Sequence, residues 1–91
     1  MQQRCVRARI SGIVQGVGFR HATLRRAIAL GVRGYVRNLP DSSVEAVFEG
    51  SARVVEEALT FVRRGPNGSR VAGVEVEPIA PQGFSDFEIR H

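Results

Sequence analysis

Val6, Ala8 and Ile10 alternate with Cys5, Arg7, Arg9 and Ser11, the period-two pattern of a strand with one apolar face. Gly12, Gly16 and Gly18 interrupt that pattern and mark a loop. From about His21 to Leu30, the residues Leu24, Ala27, Ile28 and Leu30 form a broad apolar stripe, with Arg25 and Arg26 turned outward. Gly31 fits the left-handed position just past a helix end. Gly34, Val36 and Asn38 then alternate with Arg33, Tyr35 and Arg37. Pro40-Asp41-Ser42-Ser43 supplies turn chemistry, and Val44, Ala46 and Phe48 alternate with Glu45, Val47 and Glu49 to complete a hairpin. Ser51 is placed to cap a second helix carrying Val54, Val55, Ala58, Leu59, Phe61 and Val62. Arg63 and Arg64 suit its negative end, and Gly65-Pro66 stops it. After a loop over Pro66 to Ser69, Val74 and Val76 alternate with Glu75 and Glu77. Pro78 to Gly83 breaks that strand, and Phe87 and Ile89 mark a closing one.

The order is strand, helix, strand, strand, helix, strand, with one more strand at the end. Each strand has one apolar and one charged face, so helices should cover the sheet on one side only. The expected fold is therefore α+β: a ferredoxin-like two-layer sandwich, βαββαβ plus a C-terminal strand, with a mostly antiparallel sheet under two helices. With 91 residues, a single domain over 1–91 is expected. On the open face Arg7 and Arg9 are expected opposite Glu45 and Glu49, in pairs worth about 0.2–1 kcal/mol each.

Composition narrows the function. Apolar residues make up 43% and charged residues 24%, which excludes a largely disordered chain. No apolar run reaches the roughly 20 residues of a membrane span, and Met1 to Arg7 has no secretory apolar stretch, so a soluble cytoplasmic protein is expected. Cys5 is the single cysteine, which rules out an internal disulfide, and its expected role is a small strand residue. His21 and His91 stand 70 positions apart with no carboxylate or thiol cluster at ligand spacing, so no metal and no cofactor is expected. The net charge of +4 conceals a division: residues 1–40 hold eight arginines and no acid, and residues 41–91 hold five arginines and nine acids. The halves carry +8 and −4, and there is no lysine. Pairing between basic and acidic strands accounts for most of these arginines but need not account for all.

The segment from Gly12 to Arg20 lies between the first strand and the first helix. Its glycines let successive N–H groups turn into one concavity, and the helix start adds unpaired amides and a positive dipole end. Arg20 contributes a full charge and a fork of donors that suits phosphate. An arginine there opposes the dipole by about 0.3 kcal/mol or more, a conflict that a bound anion removes. The glycine spacing matches neither the dinucleotide fingerprint nor the P-loop, so the loop by itself is a weak signal.

The residues carry a more specific pattern as well. Ile10-Ser11-Gly12-Ile13-Val14-Gln15-Gly16-Val17-Gly18-Phe19-Arg20 resembles the phosphate loop of the acylphosphatase family at every characteristic position. Gly34-Tyr35-Val36-Arg37-Asn38 is similar to that family's second motif. The likeness continues through Leu30-Gly31-Val32, Glu49-Gly50, Gly65-Pro66 and Phe84 to Arg90. What the resemblance implies is a hydrolase that cleaves the carboxyl-phosphate bond of acyl phosphates to carboxylate and inorganic phosphate. It implies direct attack of an oriented water, without metal or covalent intermediate. On this resemblance Arg20 binds phosphate together with the N–H groups of Gln15, Gly16, Val17, Gly18, Phe19 and Arg20, and Asn38 positions the water. The implied partner is a small acyl phosphate, such as acetyl phosphate or carbamoyl phosphate, bound by a monomer. His21 and Arg37 are left out of the catalytic set. One departure stands out: the family places glycine after the hairpin aspartate, where this chain has Asp41-Ser42-Ser43. Serine must adopt another turn or carry strain of about 1 kcal/mol, which bears on the placement of Asn38.

Two other readings compete. An RNA-binding domain of the same element order would need aromatic residues on its central strands, and Glu45 stands where stacking or basic character is wanted. A catalytically weak module that only binds phosphorylated metabolites would keep the cradle and lose the turnover.

Overall fold

The structure, a computed structural model, describes residues 2–91. Its elements are β1 (Gln3–Ile13), α1 (Phe19–Leu30), β2 (Arg33–Asn38), β3 (Val44–Ser51), α2 (Ala52–Arg64), β4 (Arg70–Pro78) and β5 (Phe87–Arg90). The strands form one sheet in the order β4-β1-β3-β2-β5. All neighbours are antiparallel except β2 and β5. The two helices cover one face, which is the expected α+β ferredoxin-like arrangement.

Alternation explains the core. Val6, Ala8 and Ile10 of β1, Val36 of β2, and Val44, Ala46 and Phe48 of β3 pack under Val55, Ala58, Leu59 and Val62 of α2. The helix α2 starts as its sequence suggests, with the Ser51 hydroxyl accepting from the Val54 amide at 3.5 Å. It ends at Gly65, whose amide donates to the Phe61 carbonyl at 2.8 Å.

The helix α1 departs from expectation. It begins at Phe19, and its buried residues are Phe19, Ala22, Thr23 and Ala27. Ile28, expected in the apolar stripe, is 64% exposed. Phe19 supplies the reason: as a fully buried anchor in the first turn, it fixes the inward face at 19, 22, 23 and 27, and Ile28 rotates outward. The Thr23 hydroxyl bonds back to the Phe19 carbonyl at 2.9 Å, so even the polar member of that face is satisfied.

Two strands run longer than their side-chain patterns suggest. After a register shift between Ser11 and Gly12, β1 continues to Ile13, with Gly12 opposite Val71 and Ile13 opposite Arg70. Gly12 is therefore a strand residue, and β4 starts at Arg70 rather than near Val74. Backbone pairing carries both extensions where apolar alternation has already stopped.

The ion pairs on the helix-free face are also rearranged. Arg9 does lie opposite Glu45, but Arg7 lies opposite Val47, and Cys5 lies opposite Glu49. Edge strand β4 puts Glu77 and Glu75 directly across from Arg7 and Arg9, at 2.8 and 3.2 Å. Glu49 instead accepts from the amides of Gln82 and Gly83 and lies 3.7 Å from Arg33. Val47 is only 1% exposed on this face although no helix covers it. Its cross-strand neighbours there are Arg7 and Tyr35, long side chains with apolar bodies suited to covering it. Burial, with Glu49 beside it, pushes the Cys5 thiol up to about 11, so it is an inert packed group. No helix among the described residues is long and apolar enough to cross a membrane.

Candidate active site

The connection between β1 and α1 is held at both ends by buried apolar side chains, Val14 at 1% exposure and Phe19 at 1%. Between them Gly16 and Gly18 take φ of 74° and 77°, a left-handed backbone that lets the chain curl without a Cβ clash. The first intrahelical bond runs from the Ala22 amide to the Gly18 carbonyl at 3.0 Å. Among the described residues, the amides of Gln15 through His21 donate to no protein acceptor. The helix start has no side-chain cap and no acid in its first turn. Half-buried Arg20 has neither an ion pair nor a hydrogen bond among the described residues. A row of orphan donors, a positive dipole end and an unpaired arginine thus fall within the seven residues from Gln15 to His21, a donor set that suits a tetrahedral anion.

Asn38 ends β2. Val36 points into the core with no exposure, so Asn38, two residues on, shares its face, and Arg37 points to the other. Arg37 is paired there, its Nε donating to Glu45 at 2.8 Å. The Oδ1 atom of Asn38 is buried without a partner among the described residues. An unmet buried acceptor costs about 1–3 kcal/mol, so this atom is poised to take a proton donor from outside the chain. At the other end of β2, the Cβ that Gly34 lacks would lie 1.8 Å from the Val47 carbonyl oxygen. That close approach gives a packing reason for the glycine that opens this motif.

The hairpin after Asn38 keeps a tight turn in spite of its serine. Ser42 has φ of 77°, so it accepts the left-handed conformation rather than changing the turn. The Leu39 amide donates to the Ser43 carbonyl at 2.8 Å. Asp41 accepts from the Ser43 amide and hydroxyl, and from Arg9. Those bonds, the Ser43 hydroxyl first, hold the Asp41 carboxyl down at about 2. Glycine loop and hairpin meet through Gln15, whose Nε2 donates to the carbonyls of Leu39 and Ser43, both at 2.8 Å.

Elsewhere, a groove of about 280 Å³ on the helix-free face is lined by Arg7, Arg9, Glu45, Glu75, Val76 and Glu77. Its arginines and carboxylates already pair with each other, so it offers an anion little. Among the described residues no three His, Cys, Asp or Glu side chains stand together as ligands for a metal.

A family model described as Acylphosphatase matches residues 6–89. The chain belongs to the acylphosphatase family. It is 49% identical to an acylphosphatase of Methanothrix thermoacetophila over 93% of this chain and 94% of that one. It is 53% identical to one from Rubrobacter xylanophilus, over 98% of this chain and 82% of that one. The solved structure of an acylphosphatase from Coxiella burnetii superimposes with a TM-score of 0.92 at 33% identity, covering 97% and 93% of the two chains. The chain is thus an enzyme of this family, in which the cradle and Asn38 are the features that need a chemical account.

The residues expected to bind phosphate, Gln15, Gly16, Val17, Gly18, Phe19 and Arg20, form one continuous segment from the loop into the first turn of α1. The turn that begins one residue after Asn38 is tied to that segment by the two bonds of the Gln15 side chain, to Leu39 and Ser43. His21 is exposed at the helix start. What sequence reasoning missed is that Gln15 side chain. The motif gives a role only to its main-chain amide, and nothing in a glycine-rich loop announces which carbonyls 24 and 28 residues away the side chain will reach.

Proposed function

We propose that the chain hydrolyses acyl phosphates to carboxylate and inorganic phosphate by direct attack of water, without a metal and without a covalent enzyme intermediate. Membership of the acylphosphatase family supports the substrate class. What supports the mechanism is that unpartnered amides and an unpaired Arg20 stand in the segment that Gln15 ties to the turn next to Asn38, whose buried Oδ1 is also unpartnered.

An acyl phosphate is an activated mixed anhydride, because the departing carboxylate is a stable, weakly basic anion. Little acid catalysis is required, which suits a site whose residues include no carboxylate pair. Three requirements remain, namely to grip the phosphoryl group, to spread the charge on its equatorial oxygens, and to align the nucleophile with the leaving oxygen. The amides of Gln15 to Arg20 and the Arg20 guanidinium meet the first two. Those donors are already fixed by the fold, so they need no reorganisation as charge develops. Asn38 meets the third: its Oδ1 accepts a hydrogen bond from the water and aims it at phosphorus. The water oxygen forms a bond to phosphorus as the bond from phosphorus to the carboxyl oxygen breaks, and the electron pair leaves with the carboxylate. Asn38 is no base, so the water's proton passes to a phosphoryl oxygen of the substrate. The chain acts in this reading as a monomeric cytoplasmic domain over residues 1–91, with no nucleic-acid partner.

Steady-state hydrolysis of acetyl phosphate tests this, with the parent beside Arg20→Ala and Asn38→Ala and with a chelator present. Turnover by the parent that chelation leaves unchanged is expected, with a loss of at least about 10²-fold in each variant. Binding of phosphate without turnover by the parent would assign the chain to the weak-module reading instead. Near-parental turnover in Arg20→Ala would remove the mechanism.

A further inference from the structure

We infer that the Gln15 side chain is a positioning residue that sets the separation between the phosphate cradle and Asn38; the inference rests on the function proposed above. Gln15 belongs to the cradle through its main chain, but its side chain reaches away from it. Both hydrogens of its amide are used, one on the Leu39 carbonyl and one on the Ser43 carbonyl, each at 2.8 Å. The reverse orientation of the amide would set its oxygen against two carbonyl oxygens, so the network fixes which atom points where.

Those two carbonyls frame the hairpin turn. Leu39 O also accepts from the Ser42 amide at 3.2 Å, and Ser43 O also accepts from the Leu39 amide at 2.8 Å. Gln15 therefore grips the turn at the two points where the turn grips itself, one residue beyond Asn38. Among the described residues no other side-chain hydrogen bond joins the segment 14–18 to the hairpin. From the helix-free side the same turn is held by Arg9, which bonds Asp41 and lies 3.4 Å from the Ser43 hydroxyl. The turn contains Ser42 in a left-handed conformation that a serine adopts at a cost. A strained turn next to the water-aiming side chain needs an external brace, and Gln15 is the brace on the cradle side. Its length and its two donors fit it for this. Glutamate would oppose carbonyl with carboxylate, and methionine of similar length would bring no donor.

This role separates binding from turnover. The grip on phosphate comes from main-chain amides and Arg20, which the Gln15 side chain does not supply. Alignment of water depends on where Asn38 stands. A misplacement of about 1 Å lowers a rate by about 10²-fold, so Gln15→Met should lower kcat on acetyl phosphate by about 30-fold or more. Inhibition by inorganic phosphate should stay within about threefold of the parent. In an Asn38→Ala background the same change should cost less than about threefold, because the group being positioned is already gone. Should Gln15→Met fail to fold, Gln15→Asn, which retains the amide but withdraws it by one methylene, is measured for the same split. A merely structural residue would move stability without this division of kcat from phosphate inhibition. A kcat within threefold of the parent in a folded variant would overturn the inference, as would parallel losses of kcat and phosphate affinity, or losses that multiply with Asn38→Ala. A parent that fails to turn over acetyl phosphate would instead remove the function on which the inference rests.

Discussion

On the helix-free face, Glu45 accepts from the Tyr35 hydroxyl at 3.0 Å and from Arg37 at 2.8 Å, and lies 3.8 Å from Arg7. At the end of β1, by contrast, seven successive amides and Arg20 find no acceptor within the described chain. Both regions use arginine, several on the helix-free face and Arg20 alone at the glycine loop. In one the guanidinium groups are spent on strand neighbours, with the Arg90 guanidinium also stacked 4.2 Å over the Tyr35 ring. In the other the single guanidinium, that of Arg20, is held in reserve. The contrast shows how one residue type serves two purposes within a single small sheet. A paired charge contributes register and modest stability. An unpaired donor, pre-aimed by a buried frame, costs stability and is available to a ligand.

Removing the reserve challenges this contrast most severely. Arg20→Ala should lower kcat/KM for acetyl phosphate by about 10³-fold or more, while thermal stability stays within a few degrees or rises, since the lost charge had no partner. A large fall in melting temperature with activity per folded molecule retained would place Arg20 among the paired arginines after all. The complementary change is Glu49→Ala on the structural side. Glu49 is 4% exposed and takes the Gln82 and Gly83 amides, so its loss should cost about 2 kcal/mol in chemical denaturation with kcat nearly unchanged. Ser42→Gly probes the hairpin that lies between the two regions. Relief of the positive φ should raise stability by about 0.5–1 kcal/mol, and a destabilised variant would mean that Ser42 carries no strain.

A weaker effect is expected on pH dependence. Bonds from Ser43, and then from Arg9, hold the folded Asp41 carboxyl at about 2 against an ordinary 3.8. As pH falls, the unfolded carboxyl takes up its proton first, so the stabilisation is complete above about 4 and is lost towards 2. Burial drives the Glu49 carboxyl up, but the Gln82 and Gly83 amides, Cys5 and Arg33 outweigh it, and it adds a slope of the same sign. Asp41→Asn should therefore flatten acid unfolding below pH 4 without abolishing it, read from denaturation midpoints across that range.

Much of the scaffold was legible because the alternating residues are the buried ones. Val6, Ala8 and Ile10, and Val44, Ala46 and Phe48, announce their strands and their inward faces directly. Strand ends were less legible, since Gly12 pairs with Val71 through its backbone and leaves no trace in hydropathy. The rotation of helix α1 escaped the periodicity because Phe19, its anchor, sits at the edge of the glycine loop. The arginine partners came out differently because alternation tells which face a side chain occupies but not which neighbouring strand lies across from it. At the site, the glycines and Arg20 pointed to an anion cradle, whereas Asn38 gained meaning only from its motif. The Gln15 clamp is a tertiary contact, and local sequence carries no sign of it.

If the loop from Gln15 to Arg20 is an anion cradle closed by one guanidinium, its amides must respond when inorganic phosphate is added, and NMR chemical shifts report that response residue by residue. Saturable shifts are expected, largest from Gln15 to Arg20 and absent in Arg20→Ala. Shifts centred on the exposed arginines Arg25, Arg26, Arg63 and Arg64, or an Arg20→Ala protein that saturates like the parent, would show that the cradle is not where phosphate is held.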